Sequence, residues 1–156
     1  PLINLRAMMK VRKAVLDDLP YLVNFTSEEA REAEGSIKIP ETLEKGILVA
    51  LRDPSIATYW VLVDENDTPV GSVSAVREWS DWNAGYYWWI QSMFLSKSQR
   101  GKGRMSLLLD AVKHEVKVQK GLELRLYVHK DNCTAVRAYQ NAHFSKSDYE
   151  IMILSN

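Results

Sequence analysis

MFLSKSQRGKGRMSLLLDAV, residues 93–112, carries the chain from a strand into a helix, and its reading decides the fold. Met93 to Leu95 is the apolar end of a strand, and a polar loop holding Gly101 and Gly103 follows it. From Met105 the apolar residues return at helical spacing. Met105, Leu108, Leu109, Val112 and Val116 stand at i, i+3, i+4, i+7 and i+11, one face of an amphipathic helix. Gly121 ends that helix, and Leu122, Leu124, Leu126 and Val128 then alternate with Glu123, Arg125 and Tyr127 as a strand. With Tyr86 to Leu95 as the strand before the loop, residues 86–128 form one strand–helix–strand crossover. Parallel strand pairing requires a connection of this kind.

The loop itself suits an anion. Glycine takes positive φ and lets a ligand approach the backbone. A helix N-terminus offers free N–H donors and a partial positive charge, and Arg100, Lys102 and Arg104 add to it. The spacing fits neither GxxxxGK(S/T) nor GxGxxG, which disfavours a nucleoside triphosphatase and a Rossmann dinucleotide site. The plain alternative is a glycine-softened turn with solvated basic residues.

Working outward, Met9 to Val15 reads as a strand. Asp17 or Asp18 caps a first helix with Pro20 in its first turn, and an acidic stretch, TSEEAREAEG, 26–35, leads to a glycine. A second helix runs from Pro40 to about Arg52. Tyr59 to Val63 and Val70 to Val76 read as a hairpin around DENDTP. EWSDWNAG, 78–85, is expected to be the connection into Tyr86–Leu95, whose alternation sends Tyr87 and Trp89 to one face and Tyr86 and Trp88 to the other. A short helix begins at Asn132, and FSKSDYEIMIL reads as a closing hairpin. The order predicts an α/β domain of the α+β kind, with a mixed, mostly antiparallel central sheet covered by helices on both faces. The domain spans 9–156, and residues 1–8, which open on Pro1, are expected to be a processing or expression remnant.

Composition narrows the function classes. A chain of 156 residues is one domain's length, and it has no repeat, low-complexity tract or membrane-length apolar run. Lys+Arg and Asp+Glu both number 20, which argues against a nucleic-acid or anionic-membrane binder working through bulk charge but leaves room for a local basic patch. The aromatic run 78–89 could offer base-stacking platforms, but it contains Glu78 and Asp81 and no basic residue. The one cysteine, Cys133, reads as a small buried thiol in a reducing cytoplasm. Three histidines without ligand spacing give no metal site.

The quoted stretch is similar to the acyl-CoA-binding motif of the GNAT superfamily of N-acetyltransferases: Arg or Gln, two residues, Gly, one residue, then Gly or Ala. Arg100 and Gly103 match, and Met105 stands at the last small position. NCTAVRAYQNAHF, 132–144, resembles the second motif of that family through Asn132, Ala135, Tyr139 and Phe144, with His143 in place of its glycine. The element order is that of the family from about Met9 to Leu154. Met105 crowds the first helical turn but keeps its N–H. His143 is expected to end its helix in a strained turn, because a left-handed cap favours glycine or asparagine.

The resemblance implies acetyl-CoA as donor and a primary amine as acceptor, joined by direct attack in a ternary complex. Backbone groups of Met93 and Leu95 would pair the pantetheine amides. The pyrophosphate would lie on the N–H groups of Arg100, Gly101, Lys102, Gly103, Arg104 and Met105. Asn132 and Tyr139 would border the same ligand, and an N–H near Met93 or Phe94 would polarise the thioester carbonyl. Tyr139 matches the position of the acid that protonates the departing thiolate, against the alternative of a tyrosine merely packed on the cofactor. For the base, Glu78 comes first and Asp81 second, each equally readable as a solvated carboxylate. Gln91 or Ser92, whichever faces the cleft, would orient the acceptor.

The acidic stretch sets Glu28, Glu29, Glu32 and Glu34 against Arg31 alone. With Trp79 and Trp82 as an aromatic wall, it suits a small cationic amine. A peptide or protein amine and a non-catalytic acyl-CoA-binding module are the alternatives. GNAT proteins are often homodimers, which leaves a second copy of the chain as an expected partner.

Overall fold

The computed structural model describes residues 9–156, so the expected remnant at 1–8 lies outside the described residues. β1 (Lys10–Lys13) leads through a short 3-10 turn into α1 (Leu19–Glu34) and α2 (Pro40–Arg52). β2 (Thr58–Val63), β3 (Pro69–Ser80) and β4 (Gly85–Leu95) follow, then α3 (Met105–Val118), β5 (Glu123–Leu126) and α4 (Cys133–Asn141). The sheet runs β1-β2-β3-β4-β5 in space, antiparallel throughout except for the β4–β5 pair that the α3 crossover makes parallel.

Two apolar layers hold the sheet. On one face Trp60, Leu62, Val73, Ala75, Trp88 and Ile90 pack against Leu108, Leu109 and Val112 of α3, burying the stripe that the sequence spacing marked. On the other, Val61 and Val63 pack against Leu22 of α1 and Ile47 of α2. Asp18, at the start of α1, is buried but paired. It accepts from both terminal nitrogens of Arg12 on β1 at 2.8 and 3.0 Å and from the Val15 N–H at 2.8 Å.

Three local outcomes differ from the sequence reading. β3 continues to Ser80, so only residues 81–84 connect it to β4, where the Asn83 N–H donates to Ser80 Oγ at 3.2 Å. Glu78 and Trp79 are therefore strand residues facing Tyr87 and Tyr86. The expected closing hairpin is not formed: residues 145–156 are neither helix nor strand. Only Ser145, Lys146, Ser147 and Asp148 separate Phe144 from the apolar run, so no first strand is available for it. Cys133 is exposed rather than buried, because it opens α4 on that helix's outer side.

One irregularity positions the site. Ser74 pairs Ser92 while Ala75 pairs Ile90, which leaves Gln91 as an extra residue bulged out of β4. β5 pairs β4 only from Tyr87 to Ile90. Beyond the bulge β4 runs on to Leu95 without a strand partner on its β5 side among the described residues, and the two strands part.

Candidate active site

Where β4 and β5 diverge, the backbone groups of β4 that face the gap have no strand to pair with. The chain satisfies them with side chains instead. The Met93 N–H donates to Glu29 Oε1 of α1 at 3.1 Å, and the Leu95 carbonyl accepts from Arg100 Nε at 2.9 Å. Arg100 in turn grips both carboxylate oxygens of Glu32 at 2.9 and 3.0 Å and lies over the Phe94 ring, 5.2 Å from its centroid. Phe94 stacks on Phe25 of α1 at 5.4 Å. Leu22, Phe25, Glu29 and Glu32 thus share one face of α1, and its apolar stripe continues as two glutamates aimed at the gap.

Glu29 is half-buried there, and burial pushes its carboxyl up to about 7 despite the Met93 hydrogen bond, which favours the charged form. Tyr139 of α4 is close enough to feel that charge. Burial first, and then the Glu29 carboxylate, raise its phenol to about 12. α4 itself is set by Asn132, whose side chain accepts from the Ala135 N–H at 3.2 Å as an N-cap. It ends in a left-handed turn at His143, φ 72°, as the sequence led one to expect. There the Phe144 N–H reaches the Tyr139 carbonyl at 2.9 Å and the His143 N–H reaches that of Gln140 at 3.0 Å, a Schellman closure. Tyr139 and Phe144 meet edge to face at 5.7 Å, so the same closure packs the tyrosine.

Beyond the gap, Gly101 and Gly103 both take positive φ, 74° and 71°. A side chain at either would meet nothing within 4 Å, so the conformation rather than crowding requires glycine. Among the described residues, the N–H groups of Gly101, Lys102, Gly103 and Arg104 have no acceptor, whereas the Arg100 N–H closes a turn onto Lys97. Arg104 precedes α3 without capping it, and Met105 begins the helix. These free donors and the unpaired edge of β4 fit a ligand with a pyrophosphate at one end and amides along its arm.

The remaining sequence candidates are dispersed. Glu78 shares the Gln91 side of the sheet, in a cleft of about 460 Å³ with Val76, Trp89, Ile90 and Tyr127. Along β3 it stands five residues from Val73, the partner of Met93, about 17 Å at the rise of a strand. Asp81 and Trp82 lie farther still, at the exposed hairpin tip, and Trp82 is 87% exposed. Trp79 turns to the α3 face and packs edge-on to Tyr86 at 5.1 Å. Strand alternation through Ser80 thus separates it from Glu78, and the aromatic wall does not border the gap. Glu28 pairs with Arg31 at 3.0 Å and Glu32 with Arg100, so among the described residues Glu29 alone of the three is without a cationic partner.

The aromatic faces carry the chain's own cations. Arg77 lies over Tyr86 at 4.5 Å and Arg125 over Tyr87 at 3.5 Å. Tyr127, which the sequence reading did not single out, stacks on Trp89 at 4.5 Å, and the buried Trp89 Nε1 has no acceptor among the described residues. Both faces of the strand were readable from alternation, but cross-strand arginines were not.

Comparison with known proteins agrees with this geometry. The model of the Acetyltransferase (GNAT) family matches residues 19–144. A "possible acetyltransferase" from Clostridium difficile is 30% identical, with a TM-score of 0.90 over 96% of this chain and 98% of that one. A "predicted acetyltransferase with acetyl-CoA" from Clostridium acetobutylicum, 21% identical, gives 0.78 over 94% of this chain and 96% of that one. An integron cassette protein from the Cole Harbour Salt Marsh metagenome, 22% identical, gives 0.81 over 94% and 90%. None of the curated proteins matches this chain.

Proposed function

Because the chain belongs to the GNAT acetyltransferase family and is an acetyl-CoA-dependent acyltransferase, we propose that it acetylates the primary amine of a small metabolite with Glu29 as the base. Acetyl-CoA supplies an activated acetyl group. Met93 and Leu95 hold its arm along the free edge of β4, and the loop N–H groups from Gly101 to Met105 hold its pyrophosphate. Asn132 shapes the α4 end of the site, and the Met93 N–H serves as the oxyanion donor once a thioester carbonyl takes the place of the Glu29 carboxyl.

That exchange is the observation that carries the reading. The carboxyl that caps the Met93 N–H is the one that displacement leaves beside the acceptor, and Tyr139 is within reach of its charge. As the amine nitrogen bonds the acetyl carbon, Glu29 takes its proton. As the carbon–sulfur bond breaks, Tyr139 gives a proton to the sulfur, and solvent restores both groups. The carboxyl stands at about 7 while it holds the Met93 N–H and rises once displaced, which makes it a stronger base whose charged form needs a pH above neutral. Glu78 and Asp81 stand farther along the strands from Met93 than Glu29 does, which favours Glu29 as the group that takes the proton directly. Glu78, Gln91, Trp89 and Tyr127 line one cleft with Arg77, which supports a role for them in holding the acceptor's far end. A cytoplasmic location suits a consumer of acetyl-CoA with an exposed thiol.

Glu29→Gln tests it, since glutamine keeps an acceptor for the Met93 N–H and removes the base. The wild type should lose kcat/KM below about pH 7, and the variant should lose both that limb and roughly 10²-fold or more of the rate. An unchanged pH–rate profile in the variant would overturn the assignment.

A further inference from the structure

Four residues past Phe25, Glu29 stands one turn farther along the same face of α1. Phe94, on which Phe25 stacks, belongs to a cross-strand row with Ser72 and Val61. The row beneath Glu29 is the next one on that face of the sheet, Ser92, Ser74 and Tyr59. Met93, whose N–H meets Glu29, lies between the two rows. All three residues of the second row carry hydroxyls. Ser74, in the middle, is 0% exposed, and its Oγ has no hydrogen-bond partner among the described residues. A buried hydroxyl without a partner is costly, and cores retain one where an ordered water completes it.

Tyr59 packs under α1 and α2 with Leu22 and Ile47. Burial raises its phenol, the Ser74 hydroxyl lowers it, and the Glu29 carboxylate raises it again, so the three groups share one polar space. Around Glu29 stand Tyr139 from α4, the Met93 N–H from β4, and Tyr59 and Ser74 from β2 and β3. On its own helix Glu28 and Glu32 are tied to Arg31 and Arg100. No cation in this set favours the charged form of Glu29. Its Oε1 takes the Met93 N–H, and its Oε2 accepts from nothing among the described residues. When a thioester takes that N–H, the carboxylate loses its one donor.

We propose that Tyr59 and Ser74 are positioning residues for Glu29: their hydroxyls hold one water against its free oxygen and keep the carboxylate aimed at the gap when the Met93 N–H is taken from it. The proposal rests on Glu29 as the base. Both hydroxyls can donate, and three polar partners are the usual complement of a buried water. The bulge at Gln91 builds the row. Continued from the Ala75–Ile90 pair, a regular ladder would set Gln91 opposite Ser74, and the extra residue brings the smaller Ser92 there instead.

Carbon-13 NMR of glutamate-labelled protein, with Glu29→Gln to assign the signal, follows the carboxyl directly, and its midpoint in the wild type should lie at about 7. Removing a donor to the charged form raises the midpoint, so Ser74→Ala and Tyr59→Phe should each lift it by about 0.5 or more. The acidic limb of kcat/KM should move up with it. Ser74→Thr restores the hydroxyl and should restore the wild-type midpoint. Both hydroxyls act through one water, so the double variant should shift the midpoint no further than the larger single change. Near-ultraviolet circular dichroism of the variants should match the wild type. Unchanged midpoints in the folded single variants overturn the proposal, and so does an additive double variant. A midpoint that moves while the pH–rate limb stays put supports the positioning and removes Glu29 as the base.

Discussion

Glu29 and Tyr139 are both pushed up by burial, and the consequences are opposite in kind. A carboxyl near 7 is half protonated at neutral pH and serves as a base, whereas a phenol near 12 stays protonated and serves only as a donor. Tyr139→Phe should therefore lower kcat by about 10–100-fold with KM little changed and no new pH limb below 10. Steady-state kinetics across pH decides it, and full turnover in the variant would make Tyr139 a packing residue. His143 offers a separate test at this scale. A side chain in the left-handed region costs about 1 kcal/mol relative to glycine, so His143→Gly should raise the melting temperature by about 2–4 °C. A melting temperature that falls instead would mean that the imidazole makes a compensating contact. Tyr139 was singled out by the family resemblance of its motif, and the strain at His143 by its standing where that motif has glycine. The sequence offered Glu29 only as one of four glutamates in a stretch suited to a cationic acceptor, not as a base. Which glutamate points at β4 depends on where the α1 stripe meets the strand, and no local pattern encodes that meeting.

At the scale of the element, α3 shows two different demands on neighbouring residues. Its left-handed closure falls on Lys120, φ 55°, while Gly121 donates to the Val116 carbonyl at 2.8 Å. A Cβ on Gly121 would come within 2.6 Å of the Trp88 ring, which is 2% exposed and cannot give way. Gly121→Ala should cost about 1–3 kcal/mol through overpacking, and Lys120→Gly should cost nothing or stabilise by about 1 kcal/mol. Chemical denaturation of the two variants checks the pair. Equal effects would mean that backbone conformation, rather than the approach of Trp88, fixes this corner. Gly121 was legible as a helix stop, but its reason was not: the residue it crowds is 33 positions away in the chain. The same limit explains β3. EWSDWNAG has the turn residues of a loop, and only the ten-residue register against β4 extends the strand to Ser80.

For the whole molecule, the prediction concerns ligand and proton together. The Met93 N–H is what holds the Glu29 carboxyl down against its burial. If a bound thioester takes that N–H, the carboxyl rises further and, near pH 7, the protein takes up part of a proton. Calorimetry of acetyl-CoA binding in two buffers of different ionisation enthalpy should show this uptake, and Glu29→Gln should abolish it. At 100 times its Kd the ligand should stabilise the fold by about 2.7 kcal/mol. Binding without uptake would mean that Glu29 keeps its place on Met93. No binding would remove the ligand assignment itself. In the free protein, the raised carboxyl makes stability fall between the ordinary carboxylate range and about pH 7, because the folded state holds the proton longer than the unfolded one.

What the sequence by itself determined is the frame. The glycine loop, the apolar stripe of α3 and the alternation of β4 are local patterns that specify the crossover and the mixed sheet. The acyl-CoA side of the site was implied by the family resemblance that the 93–112 and 132–144 motifs carry. Tertiary structure alone decided the other side. It turned Glu29 onto Met93, carried Glu78, Asp81 and the two exposed tryptophans away along the strands, gave the aromatic faces to Arg77 and Arg125, and left YEIMIL without a partner in its own chain. Helix and strand periods are written residue by residue. Which side chains meet across a gap between diverging strands depends on the bulge at Gln91 and on the angle at which α1 crosses β4, and these are fixed only when the whole core packs.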